Sequence, residues 1–147
     1  MIEFIITVAI TASSVLLFGY WFRYTCVLIL SAKTARDFAA DVAAQNRLGF
    51  LQVQSQLREP AANINGLCDS LDRDYAMLSK LLQQGADSSS SIERRMLAIH
   101  YRLTRAWFQT TSHFSTSAAR RALEEMSVVV AHFANVMGEQ AASAAAA

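Results

Sequence analysis

The sequence predicts an all-α chain: one N-terminal transmembrane helix continuing into a long cytoplasmic helix, followed by two further long helices in an antiparallel bundle. Three observations carry that reading. Residues 2–22 read IEFIITVAITASSVLLFGYWF, with Glu3 as their sole charge. From 4 to 22 the run is uncharged, which at 1.5 Å per residue is enough helix to cross a hydrocarbon core of about 30 Å. One Pro and five Gly in 147 residues leave few positions where a helix is forced to stop. Beyond the apolar run, large apolar residues recur every three or four positions, the period of a helix with one buried face.

The first element, residues 1–30, is a transmembrane anchor with its interfacial segment. Its C-terminal edge is Tyr20-Trp21-Phe22-Arg23-Tyr24. Rings at headgroup depth followed by a snorkelling cation make an interfacial anchor of Tyr20, Trp21, Arg23 and Tyr24. A retained signal anchor is expected rather than a cleaved signal peptide, because no Lys or Arg precedes the run and the run exceeds a typical h-region. Only Glu3 stands before it, whereas Arg23, Lys33 and Arg36 follow it. That asymmetry puts the N-terminus outside and the rest of the chain in the cytoplasm. Ala9, Thr11, Ala12, Ser13, Ser14 and Gly19 are small enough to let a second helix approach within the bilayer.

The second element is a bundle over residues 31–140, with helices at about 31–58, 61–84 and 91–138. Phe38, Val42, Asn46, Phe50, Val53 and Leu57 share one helical face. Gly49 alone costs a helix only about 1 kcal/mol, so the first helix is expected to run unbroken from the membrane to Leu57. Pro60 is suited to open the next helix, whose stripe is Ile64, Leu67, Leu71, Tyr75, Leu78 and Leu82. A loop at 85–91 follows. Ser90 and Glu93 have capping-box spacing for the third helix. Its stripe runs through Ile92, Met96, Ile99, Leu103, Ala106 or Trp107, Thr110 and Phe114, and resumes at Ala118, Ala122, Met126, Val129 and Phe133. The hydroxyl-rich stretch 110–117 weakens the helix and offers a new cap, but without Gly or Pro the expectation is continuity. The Ala-rich tail, 141–147, has nothing to bury and is expected to fray.

The sequence excludes more chemistry than it suggests. A net charge of +1 gives no field for steering nucleic acid. Cys26 and Cys68 are isolated, which fits two small buried hydrophobes better than a zinc or haem site. No His precedes His100, so the span carries no haem or chlorophyll ligand. His100, His113 and His132 have no second ligand three or four residues away. On one continuous helix His100 and His132 would stand about 48 Å apart. Gly-x-Ser-x-Gly, HExxH and clustered glycines are all absent. No catalytic residue, metal ligand or cofactor is therefore expected.

Two surface patterns remain. Arg95, Arg102 and Arg120 lie near one angular position, a strip for anionic lipid or an acidic partner. The competing reading pairs these arginines internally with Asp69, Asp72 and Asp74 of the preceding helix. Tyr101 and Phe108 lie off the main stripe and, with Trp107, suggest a face for a protein partner. Together these features point to a non-catalytic accessory or assembly subunit of a membrane complex, packing against other subunits or copies of itself. The alternatives are a membrane-tethered signalling rod and a helical subunit bearing a cofactor shared with another chain.

Overall fold

The computed structural model describes residues 1–32, 37–60, 62–84 and 91–146. These residues hold six helices and no strand: α1 Ile2–Ser31, α2 Ala39–Asn46, α3 Phe50–Gln56, α4 Ile64–Gln84, α5 Ser91–Thr111 and α6 Thr116–Ala146. The chain divides into two compact units, Met1–Ala32 and Lys33–Ala147.

The first unit is α1 alone. It is long and apolar enough to cross a membrane, and none of its most apolar stretch is buried by the rest of the chain. Its serine and threonine hydroxyls bond within the helix. The hydroxyls of Thr7, Thr11 and Ser13 each donate at 2.8 Å to the carbonyl four residues earlier. Ser14 and Thr25 do the same at 2.9 Å. None of these five hydroxyls is thus left requiring water, the condition a bilayer interior would impose.

The expected rod does not continue to 58. α1 ends at Ser31, where Ala32 turns extended at φ −62° and ψ 110°. The expected flanking cations Lys33 and Arg36 lie outside the described residues. A second break separates α2 from α3. Arg47 adopts the left-handed conformation at φ 53°, and the Leu48 amide donates back to the Ala43 carbonyl at 2.9 Å. That six-to-one bond is a Schellman closure, normally made with Gly at the left-handed position. Gly49 then serves as the N-cap residue of α3 rather than as a tolerated interior glycine. The apolar face nevertheless survives the breaks, because Val42, Phe50, Val53 and Leu57 are all buried.

α4 begins at Ile64, not directly after Pro60. Asn63 precedes it and accepts from the Gly66 amide at 3.2 Å, the bond an N-cap makes to the third helical residue. Its predicted stripe holds, with Leu67, Leu71, Leu78 and Leu82 buried. The expected loop at 85–91 and the Ser90 cap lie outside the described residues, apart from Ser91, which opens α5.

The expected third helix is two helices. Thr111 donates its hydroxyl to the Trp107 carbonyl at 2.8 Å, and Ser112 donates to that of Gln109 at 3.1 Å. Ser115 then accepts from the Ala118 amide at 3.4 Å and caps α6. The hydroxyl residues thus supply both an ending and a beginning, and no Gly or Pro is required. After the turn α6 runs back along α5, bringing His100 within 3.9 Å of Glu125. α6 also packs on α2, α3 and α4, so every other helix of the second unit touches it. Gly138 makes the closest approach possible. A Cβ there would lie 2.2 Å from Phe38 Cβ. Nearby, the Phe38 amide donates to the Asn135 side chain at 2.8 Å. The predicted frayed tail is helical through Ala146.

Candidate functional site on helix α5

α5 has two sides that the sequence pattern assigns the wrong way round. Its buried residues are Leu97, His100, Tyr101, Thr104, Phe108 and Thr111. Its exposed large apolar residues are Ile92, Ile99, Leu103 and Trp107, with Phe114 following in the turn. The stripe expected to form the core is therefore the outer face. Tyr101 and Phe108, expected to meet a partner, are 2% and 4% exposed and belong to the core, whereas Trp107 is 60% exposed. A correction follows for the partner face: of the three residues only Trp107 can present itself.

The inward side is fixed by one acidic residue of α4. Asp72 accepts from the Tyr101 hydroxyl at 2.9 Å through one oxygen and from Arg105 Nε at 2.7 Å through the other. Tyr101 and Arg105 are four residues apart, so they stand one turn from each other on the same side of the helix. The Tyr101 ring stacks on Tyr75 with centroids 4.0 Å apart and planes within 3°. Tyr75 in turn meets Phe133 of α6 at 5.8 Å. Burial, with the Asp72 charge behind it, pushes the Tyr101 phenol well above its usual range. Tyr101 is thus a neutral donor at physiological pH. The same two causes push the Cys68 thiol up to about 11, and a thiol held protonated makes a poor nucleophile.

The arginine strip does not form as a unit. Arg120 belongs to α6 and donates to the carbonyls of Leu57, Glu59 and Pro60 at 2.9, 2.9 and 2.6 Å. It therefore closes the C-terminal end of α3. Arg94 donates to the Leu82 carbonyl near the end of α4, and Arg105 is held by Asp72. Of these three residues only Arg105 pairs with one of the expected aspartates, while Arg94 and Arg120 donate to backbone carbonyls. Asp74, one of the expected acidic partners, does something else. It is buried, and its Oδ2 accepts from the Gly49 amide at 2.8 Å, across from α4 to the start of α3. Burial pushes its carboxyl above the ordinary value, against the opposing pull of the Gly49 and Phe50 amides.

Arg95 and Arg102 remain. Both are exposed, and neither makes a hydrogen bond or ion pair with the described residues. With Arg94 they line an open groove of about 360 Å³ between α4 and α5, whose apolar lining includes Tyr75 and Phe133.

No protein family, curated protein or solved structure matches this chain.

His100 is buried and faces Glu125. His132 is half-buried, and burial holds its imidazole below the usual value while Glu93 and Glu139 pull the other way. The turn between α5 and α6 replaces the single long helix on which a 48 Å separation of His100 and His132 rested. Among the described residues no group of three or more His, Cys, Asp or Glu side chains gathers to hold a metal. Asp72 and Asp74 stood out in the sequence as acidic residues of the second helix, but the Tyr101 hydroxyl and the Gly49 amide as their donors did not.

Proposed function

We propose that the chain is a non-catalytic, single-pass membrane protein that acts as an accessory or assembly subunit of a membrane complex. In this reading α1 lies in the bilayer with the N-terminus outside, and the second unit is cytoplasmic and presents the outer face of α5 to another subunit. The observation that carries it is the row Ile99, Leu103 and Trp107, exposed side by side on a helix whose opposite side is already buried. A contiguous apolar face that a chain does not cover itself is the usual mark of an interaction surface. The uncovered apolar length of α1 supports a bilayer as its surroundings. The interruption after Ser31 counts against the alternative of a rigid signalling rod, since no single helix spans from the membrane to residue 57.

Native mass spectrometry of the protein, extracted in mild detergent from its own membrane, tests the proposal. A mass including other subunits, reduced to the chain alone by Trp107→Ser with Leu103→Ser, is the expected result. A bare monomer from the unaltered chain would overturn it. Labelling of a cysteine introduced at the N-terminus without permeabilisation tests the orientation, and protection there would reverse it.

A further inference from the structure

The outer row of α5 has a symmetry that docking of an unrelated helix would not need. Leu103 stands at its middle. Ile99 and Trp107 lie four residues before and after it, and Ile92 and Phe114 lie eleven before and after. Met96 and Thr110 fall at seven on either side, so the spacing is the same read from both ends. Steps of three and four keep these residues on one side of the helix. The helical course holds nearly to Phe114, since the Thr111 carbonyl still accepts from the Phe114 amide at 3.0 Å and the Ser115 amide at 2.8 Å.

Two such rows laid antiparallel about a dyad at Leu103 meet in a fixed register. Leu103 faces its own copy, Ile99 faces the second copy's Trp107, and Ile92 faces the second copy's Phe114. Each residue then meets what its counterpart meets, the self-complementarity that a two-fold contact demands. No charged residue stands in the row. The Thr110 hydroxyl already donates to the Ala106 carbonyl at 3.0 Å, so covering it leaves no donor unmet. Arg95 and Arg102 are exposed beside the row, and the two copies of Arg102 would share an edge open to solvent, where salt screens them.

The area is sufficient. Ile92, Ile99, Leu103, Trp107 and Phe114 are 70, 50, 58, 60 and 87% exposed. At roughly 200 Å² or more for each such residue when free, the five expose about 700 Å² per copy. Pairing two copies would therefore cover about 1,400 Å², within the range of about 1,200–2,000 Å² that specific, stable interfaces bury.

We propose that the subunit covering the outer face of α5 is a second copy of this chain, paired antiparallel about Leu103. This rests on the reading that the face docks a subunit, and it names that subunit.

Cysteine cross-linking of the full chain in its own membrane, read on non-reducing gels against the unaltered chain, tests the register. Helix axes 8–10 Å apart with Cα atoms at a radius of about 2.3 Å bring the two Leu103 Cα atoms to about 4–6 Å, within reach of a disulfide. The two copies of Ile99 would be separated by about 12 Å along the helices, beyond that reach. Leu103→Cys should therefore give about tenfold more linked dimer under mild oxidation than Ile99→Cys or Trp107→Cys alone. Co-expressed Ile99→Cys and Trp107→Cys chains should link to each other. All three residues are at least half exposed, so circular dichroism of the variants should match the unaltered chain. Leu103→Cys left unlinked, or Ile99→Cys linking equally well as a parallel pair would, overturns the proposal. Native mass spectrometry separates its failure from that of the docking reading: other proteins bound with no linkage at residue 103 strike the second copy alone, and a bare monomer strikes both.

Discussion

Trp107 and Phe108 are neighbours in sequence and opposites in the fold, which makes them a sensitive test of how α5 sits. Phe108 is 4% exposed, on the inward face of the helix. Removing a buried phenyl ring loses its transfer free energy and leaves a cavity, together about 3–5 kcal/mol for Phe→Ala. For a unit of this size each kcal/mol lowers the midpoint by about 4 °C, so Phe108→Ala should unfold about 12–20 °C earlier. Trp107, 60% exposed, has little to lose. Its replacement by Ala, a better helix former, should change stability by no more than about 0.5 kcal/mol. Thermal unfolding of the two variants in the same detergent, followed at 222 nm, reads the difference. If Trp107→Ala cost as much as Phe108→Ala, the outer face of α5 would not be outer. The docking face proposed above would fall with it.

Other substitutions probe the remaining joints. Gly138→Ala should destabilise by about 1–2 kcal/mol, because overpacking against Phe38 outweighs the gain of about 1 kcal/mol in helix propensity. Gly66→Ala meets only the Asn63 side chain and should be neutral or stabilising, so urea midpoints moving the same way in both would refute the close-approach argument. Asp74→Ala strands the Gly49 amide and should cost about 1–3 kcal/mol, whereas Asp74→Asn keeps an oxygen acceptor and should cost less. An Asn variant weaker than the Ala variant in urea would remove Asp74 from its capping role. His132 is held neutral by burial, so its native value lies below the ordinary one of about 6.5. As pH falls below that ordinary value the unfolded chain takes up a proton before the native chain does. Stability should decline through that interval and level off below the native value. Unfolding midpoints measured from pH 7 to 5 should fall less steeply in His132→Gln, and parallel curves would exclude this contribution.

The amphipathic faces of α4 and α6 were legible because each buries what its spacing says it should: Leu67, Leu71, Leu78 and Leu82 on one, Ala122, Met126, Val129 and Phe133 on the other. α5 was misread for a physical reason. Its outer row is the more apolar one, and its inner row includes His100, Thr104 and Thr111, which hydrophobic periodicity counts against burial. Those groups are acceptable inside because partners exist there, such as Glu125 for His100 and the Trp107 carbonyl for Thr111. Such partners lie on another helix or on the backbone, where a one-dimensional pattern does not reach. The breaks at residues 47 and 112–115 were missed similarly. Neither uses the breaker residue that marks a helix end: Arg47 occupies a position that Gly normally fills, and hydroxyl side chains finish α5. Of the candidate site, the arginines were visible in the sequence. Which of them are already occupied depended on where the ends of α3 and α4 came to lie.

That α6 touches all the other helices of its unit has a consequence for synthesis. The Phe38 amide waits for a side chain 97 residues further along the chain. At about 5–20 residues per second, the apolar face of α2 stays uncovered for roughly 5–20 s after it leaves the ribosome. The helices made earlier do meet, α2 with α3, α3 with α4, and α4 with α5 through Tyr75 and Tyr101, but each also packs on α6 and keeps a face open until it arrives. Assembly of this unit is therefore set by a late arrival, and a growing chain stalled before α6 would expose Val42, Phe50 and Leu71 to whatever holdase or neighbouring nascent chain is at hand.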